Sequence, residues 1–407
     1  MRISNCSVIS GFSPCAVPRN PSTLERLDSE LRELRLRSQL RVLSLPQGID
    51  FNSNDYLGLS EDSRLREAVM EGLAAGGRLG SGGSRLLSGN ARAWEELEEE
   101  FSDFVGTEAA LFFTSGYAAN IGLLGSVIRK EDLVFSDSAN HASIIDGIRY
   151  SGAKKVIFPH RDWDFLESEL RRSAGAPQEK FIVVESLFSM DGDRSPIGEL
   201  VNMAERYGAE LIVDEAHAVG VLGPQGRGLV AEAGASRRIL AAVYPCGKAL
   251  ASAGAFVCGS QALKQFLINR ARTFIFNTAL PPYFACQIRA AIQAVTEGDV
   301  LRNRVRESSC FLREQLQEAG FNTGSSDSHI APVILGANDL AVGYAEGLAK
   351  AGFTVRAIRP PSVPAGMARL RLSVTAKLKQ EDLLAFAARI CQVREQLASP
   401  ATAVGHE

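Results

Sequence analysis

The 407-residue sequence has no uninterrupted apolar run close to the roughly 18 residues that a membrane-spanning helix needs, so no span is predicted. It also lacks an excess of either charge: 44 Lys and Arg stand against 47 Asp and Glu, for a net charge of −3. A nearly neutral chain gives no general electrostatic case for binding nucleic acid or an anionic membrane. Its seven cysteines are an odd number without paired spacing. They argue against structural disulfides or a metal site and favour a reducing, cytoplasmic compartment.

Length and pattern predict how the chain is organised. A chain of 407 residues exceeds what one hydrophobic core usually holds, so we expect a large domain over 49–287 and a smaller one over 288–397. Leucines at helical spacing from Ser22 to Leu45 predict an amphipathic helix. The first residues are weakly apolar but broken by Ser, Gly and Pro, which favours a disordered tail over a signal peptide. The remaining segments are a tail over 1–20, a helical arm over 21–48 and a second tail over 398–407.

Short apolar runs alternate with helical patterns in the first two thirds of the chain. Alternation of this kind implies right-handed crossovers and a mostly parallel, doubly wound α/β sheet. The predicted strands are Ala109–Phe113, Leu133–Ser136, Lys154–Phe158, Lys180–Glu185, Leu211–Val213 and Ile239–Tyr244. The last third predicts a small α/β lobe, with strands at Ala331–Leu335, Thr354–Ala357 and Leu370–Val374 and a largely helical stretch from Arg289 to Ala319.

A carboxylate, an imidazole and a lysine follow two of these strands. Asp214 and His217 stand at the end of the run Leu211–Val213, and Lys248 lies in a turn after the next run. Open α/β sheets place ligands at this edge. Pyridoxal phosphate needs a carboxylate against its ring nitrogen and a lysine that can lose its proton to bond the aldehyde. Taken singly, the carboxylate could be a helix cap or metal ligand and the lysine a surface residue; together they predict a pyridoxal phosphate site, with His217 near the phenolic oxygen.

A second group of residues predicts where a phosphate would bind. Ser115, Gly116 and Tyr117 join a buried strand to a helix, and the free N–H groups of a helix start attract anions. The glycine-rich loop at 80–90 could also cradle a phosphate, but it lacks the ending of a P-loop. His141 follows the next strand. It could lie against the cofactor ring or be a capped surface residue, and the residues alone leave both open.

Nine motifs extend this pattern over most of the chain. They are N-D-Y-L-G-L at 54–59, G-S-G-G-S-R-L-L-S-G at 80–89, T-S-G-Y-A-A-N at 114–120, N-H-A-S at 140–143, E-S-L-F-S-M-D-G-D at 185–193, D-E-A-H at 214–217, G-K-A at 247–249, N-T-A-L-P-P at 277–282 and I-R-P-P-S-V-P-A-G-M-A-R-L-R-L at 358–372. Together they resemble the α-oxoamine synthase family from about residue 49 to 390. Members are fold type I pyridoxal phosphate transferases, similar to aspartate aminotransferase, that condense an amino acid with an acyl thioester and release CO2.

The resemblance implies a role for each matching residue. Lys248 would bond the cofactor and take the substrate Cα proton, Asp214 would hold the ring nitrogen, and His217 the phenolic oxygen. The other cofactor contacts would be His141 on the ring face, Ser189 beside it, backbone amides of Gly116 and Tyr117 at the phosphate, and Thr278 at the phosphate of the other subunit of a homodimer. Asn54 and Arg371 would grip the substrate carboxylate, and Arg359 would recognise the acyl chain or a carboxylate.

The sequence departs from the family at one cofactor position. Relatives commonly carry Thr or Ser three residues before the lysine, where its hydroxyl binds the phosphate, whereas this chain has Pro245. Losing one hydrogen bond to a charged group costs about 1.5–3 kcal/mol unless another group replaces it. We therefore expect weaker cofactor retention unless this chain supplies a substitute.

The motif that opens with Ile358 and Arg359 resembles the branch of the family that uses L-alanine and a pimeloyl thioester, carried by coenzyme A or acyl carrier protein. Two alternatives stay open. One is the same chemistry on glycine with an acetyl or succinyl thioester, since a pocket for one methyl group is worth only about 1–3 kcal/mol. The other is a catalytically idle member that binds a partner.

Overall fold

The computed structural model describes residues 22–398, so the predicted tail over 1–20 and nearly all of that over 398–407 lie outside the described residues. Among the described residues, those from Ser22 to Ser44 form one compact unit and those from Leu45 to Ala398 form another. In the first unit a helix covers Thr23–Leu36, and Ser22 and Glu25 cap it reciprocally. The prediction that it runs to Leu45 is wrong.

The helix ends early for a local reason. Ser38 takes a left-handed conformation with φ of 51°, and the N–H groups of Gln39 and Leu40 both bond back to the carbonyl of Leu34, at 2.7 and 3.1 Å. A left-handed residue cannot continue a right-handed helix. The leucines after Ser38 are therefore not part of a helix, although their spacing suggests one.

Strands and helices of the described chain run in the following order. The strands are β1 (Ile49–Asp50), β2 (Ala109–Phe113), β3 (Leu133–Asp137), β4 (Lys154–Phe158), β5 (Lys180–Glu185), β6 (Glu210–Asp214), β7 (Ala241–Pro245), β8 (Ala255–Gly259), β9 (Ile330–Gly336), β10 (Phe353–Thr354), β11 (Ala357–Ile358) and β12 (Ala368–Ser373). The helices are α1 (Thr23–Leu36), α2 (Ser63–Ala74), α3 (Arg92–Val105), α4 (Gly116–Val127), α5 (Ala142–Ser151), α6 (Trp163–Arg172), α7 (Ile197–Tyr207), α8 (Leu229–Glu232), α9 (Gln261–Arg270), α10 (Arg272–Ile275), α11 (Tyr283–Thr296), α12 (Asp299–Glu318), α13 (Asn338–Lys350) and α14 (Gln380–Ala398). Short 3₁₀ turns lie at Leu59–Glu61 and Pro224–Gly226.

The central sheet has seven strands in the order β2-β8-β7-β6-β5-β3-β4. β7, β6, β5, β3 and β4 pair in parallel, and β8 runs antiparallel between β2 and β7. Alternate residues of β5 enter different cores: Ile182 and Val184 pack on one face, Phe181 and Val183 on the other. Both faces are buried, as a doubly wound sheet requires, and the predicted fold class is confirmed.

A smaller antiparallel sheet, β11-β12-β9, has its own hydrophobic core with α12, α13 and α14. The single strand predicted at Thr354–Ala357 is wrong. Its residues divide between β10, which pairs with β1, and β11, which pairs with β12, because the Arg356 N–H donates to Asn52 Oδ1 at 2.8 Å between them.

The helical stretch predicted at Arg289–Ala319 is likewise two helices, α11 and α12, separated at Gly298. The predicted domain boundary at 287/288 falls inside α11, whose Ile288 and Ala291 pack into the core of the large sheet. The domain limits stay a prediction. Within the described residues no helix is both long and apolar enough to cross a bilayer.

Candidate active site

A cavity of about 690 Å³ opens where the parallel strands end. It is lined by ten of the residues predicted from the sequence: Asn54, Ser115, Gly116, Tyr117, His141, Ser189, Asp214, His217, Lys248 and Arg371. These residues are as much as 317 positions apart in the chain, as for Asn54 and Arg371, which share a hydrogen bond. Folding therefore brings together what the sequence marked separately.

Asp214 ends β6 and is almost fully buried. One of its oxygens accepts from the backbone N–H of Ala216 at 2.9 Å, and the other from Asn120 Nδ2 at 2.7 Å. Asn120 Nδ2 also donates to Ser143 Oγ at 2.9 Å. The carboxylate is thus held in place by two donors, which orients it toward a ligand in the cavity.

His217 is bonded to Tyr56, which lies behind the cavity. Its Nδ1 lies 2.7 Å from the hydroxyl of Tyr56, which also donates to Asn54 Oδ1 at 3.0 Å. Burial, reinforced by the nearby cations Lys248 and Arg371, holds the pKa of His217 well below its ordinary value. The imidazole is therefore neutral at physiological pH.

Lys248 lies in the tight turn that follows β7. Burial lowers the pKa of its amine, and the Asp214 and Glu185 carboxylates partly offset that effect. A lysine with a depressed pKa loses its proton more easily, which is what a nucleophilic amine needs.

His141 is both a helix cap and a cavity residue, so the two alternatives left open by the sequence are compatible. Its Nδ1 accepts from the Ser143 backbone N–H at 3.3 Å and lies 2.7 Å from Ser143 Oγ. This leaves the hydrogen of the neutral ring on Nε2. Partial burial lowers the pKa of His141, with Asp214 opposing and Lys248 adding to the effect. Its ring meets the edge of Tyr117 at 6.4 Å.

The predicted anion site lies at the start of α4. Ser115 caps the helix by accepting from Ala118 N–H at 3.1 Å, and the N–H groups of Gly116 and Tyr117 have no acceptor within the helix because they lie in its first turn. A Cβ on Gly116 would stand 2.9 Å from Pro245 Cγ, so a larger residue would force the helix start or the end of β7 to shift. The residues present thus fit a phosphate, with Pro245 packed behind it.

Arg371 reaches the cavity from β12, in the smaller sheet. Its Nε donates to the Ser189 carbonyl at 2.5 Å and its Nη1 to Asn54 Oδ1 and Ser373 Oγ, at 3.0 and 2.7 Å. Neither Arg371 nor Arg369, two residues earlier on the same strand, faces solvent, since they are only 7% and 2% exposed. Arg369 pairs with Asp191 at 2.5 Å.

Five further residues of the cavity carried no role in the sequence analysis. They are Asn120, Ser143, Glu185 and Arg356, which line it, and Tyr56, which lies behind it. Glu185 is the most unusual, because it is 2% exposed and its Oε1 has no hydrogen-bond partner among the described residues. Burial, with the neighbouring Asp214 carboxylate, raises its pKa well above the ordinary value. All except Arg356 lie inside the recognised motifs; a polar asparagine within the apolar helix α4 was the available signal.

Two predicted residues do not line this cavity: Thr278 and Arg359. Thr278 is exposed on the surface, and its predicted contact is with the other subunit. The acyl-recognition role predicted for Arg359 stays a prediction, and Arg356 is the nearby arginine that does line the cavity. The glycine-rich loop 80–89 is also not part of the lining; it bonds instead to Ala279, through Ser81 Oγ at 2.7 Å.

Fold and cavity together define a class, the fold type I pyridoxal phosphate transferases. Comparison with known families agrees: residues 46–390 match the model of the aminotransferase class I and II family, and the chain belongs to that family. The resemblance to the α-oxoamine synthases is confirmed.

Comparison with individual proteins shows more specific similarities. The 8-amino-7-oxononanoate synthase of Geobacter sulfurreducens is 42% identical over 380 residues, covering 90% of this chain and 97% of that protein. The crystal structure of 8-amino-7-oxononanoate synthase from Francisella tularensis superposes with a TM-score of 0.73 at 29% identity, over 86% of this chain and 98% of that one. A serine palmitoyltransferase from S. paucimobilis with a bound PLP–myriocin adduct has a TM-score of 0.84 at 29% identity, covering 92% and 98%.

Proposed function

We propose that this protein condenses L-alanine with a pimeloyl thioester, giving 8-amino-7-oxononanoate, CO2 and the free thiol, a reaction of biotin biosynthesis. The observation that carries the proposal is the 42% identity over 90% of the chain to a synthase named for this product. The residues that the chemistry requires line one cavity, which supports it.

Pyridoxal phosphate is the cofactor of this reaction. When bound, it supplies a protonated pyridine ring that withdraws electrons from the substrate Cα. Lys248 would bond its aldehyde, Asp214 would hold its ring nitrogen, and the N–H groups of Gly116 and Tyr117 would hold its phosphate. Asp214 is suited to this role because Asn120 and Ala216 hold it in place within a buried site.

Lys248 is the base that removes the Cα proton of L-alanine. Its amine must be neutral to accept that proton, and the burial that lowers its pKa favours the neutral form. His217 stays neutral and bonded to Tyr56, and the positive charge of Arg371 adds to the effect of burial in lowering the pKa of Lys248. The proton returns to the product carbon after CO2 has left.

Arg371 orients the substrate. Its guanidinium bonds to Ser189, Asn54 and Ser373, so its position is set before the substrate arrives. A charge-assisted bond to the alanine carboxylate fixes the direction of the Cα–H bond. The entropy of orienting the substrate is therefore lost on binding, before the chemical step. Asn54 would share that carboxylate.

Replacement of the lysine tests the cofactor site. Lys248→Ala should abolish turnover and the yellow colour of covalently held cofactor, and borohydride reduction of the wild type should mark Lys248 in a peptide map. Lys155→Ala, on the exposed side of β4, is the matched control and should keep both properties. Wild-type turnover by Lys248→Ala would overturn the proposal.

Substrate choice is tested by kinetics. We expect kcat/KM to be highest for L-alanine with a pimeloyl thioester when alanine and glycine are each assayed with pimeloyl, succinyl and acetyl thioesters. Pimeloyl carried by coenzyme A and by acyl carrier protein should be assayed in parallel, to establish the carrier. Faster turnover of glycine would assign the protein to the glycine-using branch, and no turnover of any pair would favour an idle homologue.

We further propose a homodimer in the cytoplasm. Thr278 and the neighbouring Phe276 are exposed, Phe276 by 71%, and the glycine-rich loop bonded to the same segment exposes Leu87 by 79%. Large apolar side chains grouped in this way are typical of a covered surface. The described cysteines, Cys246, Cys258, Cys286, Cys310 and Cys391, are all free, in keeping with a reducing compartment.

A further inference from the structure

A second cavity of about 350 Å³ lies apart from the residues that line the first. Its walls come from the turn after β5, the loop after β6, helix α12 and the segment that precedes β9. Four arginines contribute to its lining: Arg194, Arg302, Arg306 and Arg313. No step of the proposed reaction uses any of them.

The charges around this cavity are not balanced. Its carboxylates are Glu232, Asp299 and Asp327. Asp299 pairs with Arg302, and Asp327 lies 3.5 Å from Arg194 Nε. Within residues 22–398 neither Arg306 nor Arg313 is recorded in an ion pair, and Arg313 donates only to the Ser328 carbonyl and to Cys310 Sγ. Two guanidinium groups thus face one remaining carboxylate, Glu232, which favours an anion.

His329 supplies a second, independent indication of a ligand. It lines the cavity and is 2% exposed, yet neither ring nitrogen has a hydrogen-bond partner in the described part of the chain. Burial, and then the positive charges of Arg371, Arg194 and Arg313, lower the pKa of His329 to about 3. The ring is therefore neutral with one N–H to donate. Leaving such a group unpaired costs about 1–3 kcal/mol, so its position calls for a partner that accepts a hydrogen bond.

The same histidine contacts Tyr56, the residue behind the catalytic cavity. Its ring meets the edge of Tyr56 with a centroid distance of 4.1 Å, and the Tyr56 hydroxyl lies 2.7 Å from His217 Nδ1. Arg371 Nη2 donates to the same hydroxyl at 3.3 Å. A shift of His329 toward a ligand therefore moves the residue that positions both His217 and the arginine of the substrate site.

We propose that this second cavity binds a small anion bearing phosphate or carboxylate groups, and that its occupancy changes the affinity of the catalytic cavity for its amino acid through the contact between His329 and Tyr56. The binding site itself is independent of the proposed function; only the coupling rests on it. Coupling of this kind is reciprocal, so each ligand must change the affinity for the other by the same factor.

Calorimetric titration of the holoenzyme with inorganic phosphate, and separately with citrate, tests the site. We expect saturable binding of at least one anion, weakened at least tenfold by Arg306→Gln with Arg313→Gln. Arg206→Gln removes a surface arginine paired with Glu167 and should leave binding within about twofold. Absence of saturable binding, or binding that the double variant leaves unchanged, would overturn the site.

The coupling is measured by following the absorbance change of the holoenzyme with L-alanine, in the presence and absence of a saturating anion. We expect a shift of at least threefold in the alanine Kd, which His329→Phe should remove because it keeps a ring against Tyr56 but has no nitrogen. Anion binding without any shift in the alanine Kd would refute the coupling and leave the site. Failure of alanine to bind at all would count against the proposed function and leave the anion titration valid.

Discussion

Ala251, in the turn that carries Lys248, has a φ of 47°, the left-handed region that favours glycine. Its N–H donates to the Lys248 carbonyl at 2.8 Å, and its own carbonyl accepts from Gln287 Nε2 at 2.7 Å. These bonds hold the residue in a conformation that costs an L-residue roughly 1–2 kcal/mol. The backbone strain is therefore local to the lysine turn.

Ala251→Gly should raise the free energy of unfolding by up to about 1 kcal/mol, because glycine adopts positive φ without a Cβ clash. Urea denaturation of the holoenzyme measures the change. Ala388→Gly, on the exposed face of α14, is the opposite case and should lower stability by about 1 kcal/mol. Destabilisation by both replacements would show that the turn is not strained.

The buried histidines predict how stability depends on pH. His329 has a pKa of about 3 in the folded chain against an ordinary 6.5. Below pH 6.5 the unfolded chain takes up a proton that the folded chain refuses, so stability falls as the pH falls toward 3, by about 1.4 kcal/mol per unit.

Between pH 7.5 and 5.5, His329→Phe should therefore lose about 1.4 kcal/mol less stability than the wild type. Urea titrations at both pH values measure this difference. The contribution of His160 to stability depends on pH in the opposite direction. Hydrogen bonds to Asp137 and Asp193 outweigh its burial and raise its pKa to about 10, so its contribution is complete below pH 6.5 and is lost as the pH rises through 10. His160→Gln should reduce the loss of stability as the pH rises above 6.5. If His329→Phe lost as much stability as the wild type below pH 6.5, the low pKa assigned to His329 would be contradicted.

At the scale of elements, the start of α4 and the end of β7 are fitted closely together. Gly116 packs against Pro245 where a family relative would carry a hydroxyl, so a phosphate bound at the proposed site would depend on backbone N–H groups more than on side chains. A change in the packing of these two elements should therefore act directly on cofactor retention.

Gly116→Ala should weaken cofactor affinity at least tenfold, about 1.4 kcal/mol, because its Cβ would stand 2.9 Å from Pro245 Cγ and push the helix start away from the strand. Spectroscopic titration of the apoprotein with pyridoxal phosphate measures the affinity. Gly198→Ala in α7 has open space at its Cβ and should bind the cofactor normally. Equal affinities in both variants would rule out the close fit.

Two strands buried on both faces were located correctly from the sequence. β2 and β5 match their predicted limits, because a continuous apolar run bounded by turn residues has few other uses. β4 also matches, although three of its five residues are exposed. No strand was predicted at β8, although all five of its residues are buried, and the other errors fell on exposed or short segments. The chain around Arg356 changes from pairing with β1 to pairing with β12, and the Arg356 N–H bonds to Asn52 between the two. Helix α1 ends just before Ser38, which has a left-handed conformation. Neither event has a periodicity that a sequence pattern could reveal.

For the whole molecule, the proposed dimer depends on the exposed surface formed by loop 80–89 and the segment around Phe276. Leu87→Asp with Phe276→Asp should lower the mass in solution from twice the 43.8 kDa of one chain toward that of one chain. The same variant should hold the cofactor more weakly, because Thr278 is expected to contact the phosphate of the other subunit. Light scattering measures the mass. Leu384→Asp, an exposed leucine on α14, is the matched control and should remain dimeric. A wild type that is monomeric at every concentration would refute the proposal.

The amino-acid sequence alone predicted the doubly wound fold and the candidate residues Asp214, His217 and Lys248, because buried strands and reactive side chains that follow them are visible in local pattern and chemistry. Arg371 was predicted only through the resemblance to a family. Tertiary structure decided what depends on distance in the chain: the two donors that hold Asp214, the buried Arg371 supplied by the smaller sheet, and the second cavity behind Tyr56. Hydrogen bonds and desolvation act through space, between residues as far apart as Asn54 and Arg371, and no local pattern encodes which partners will meet.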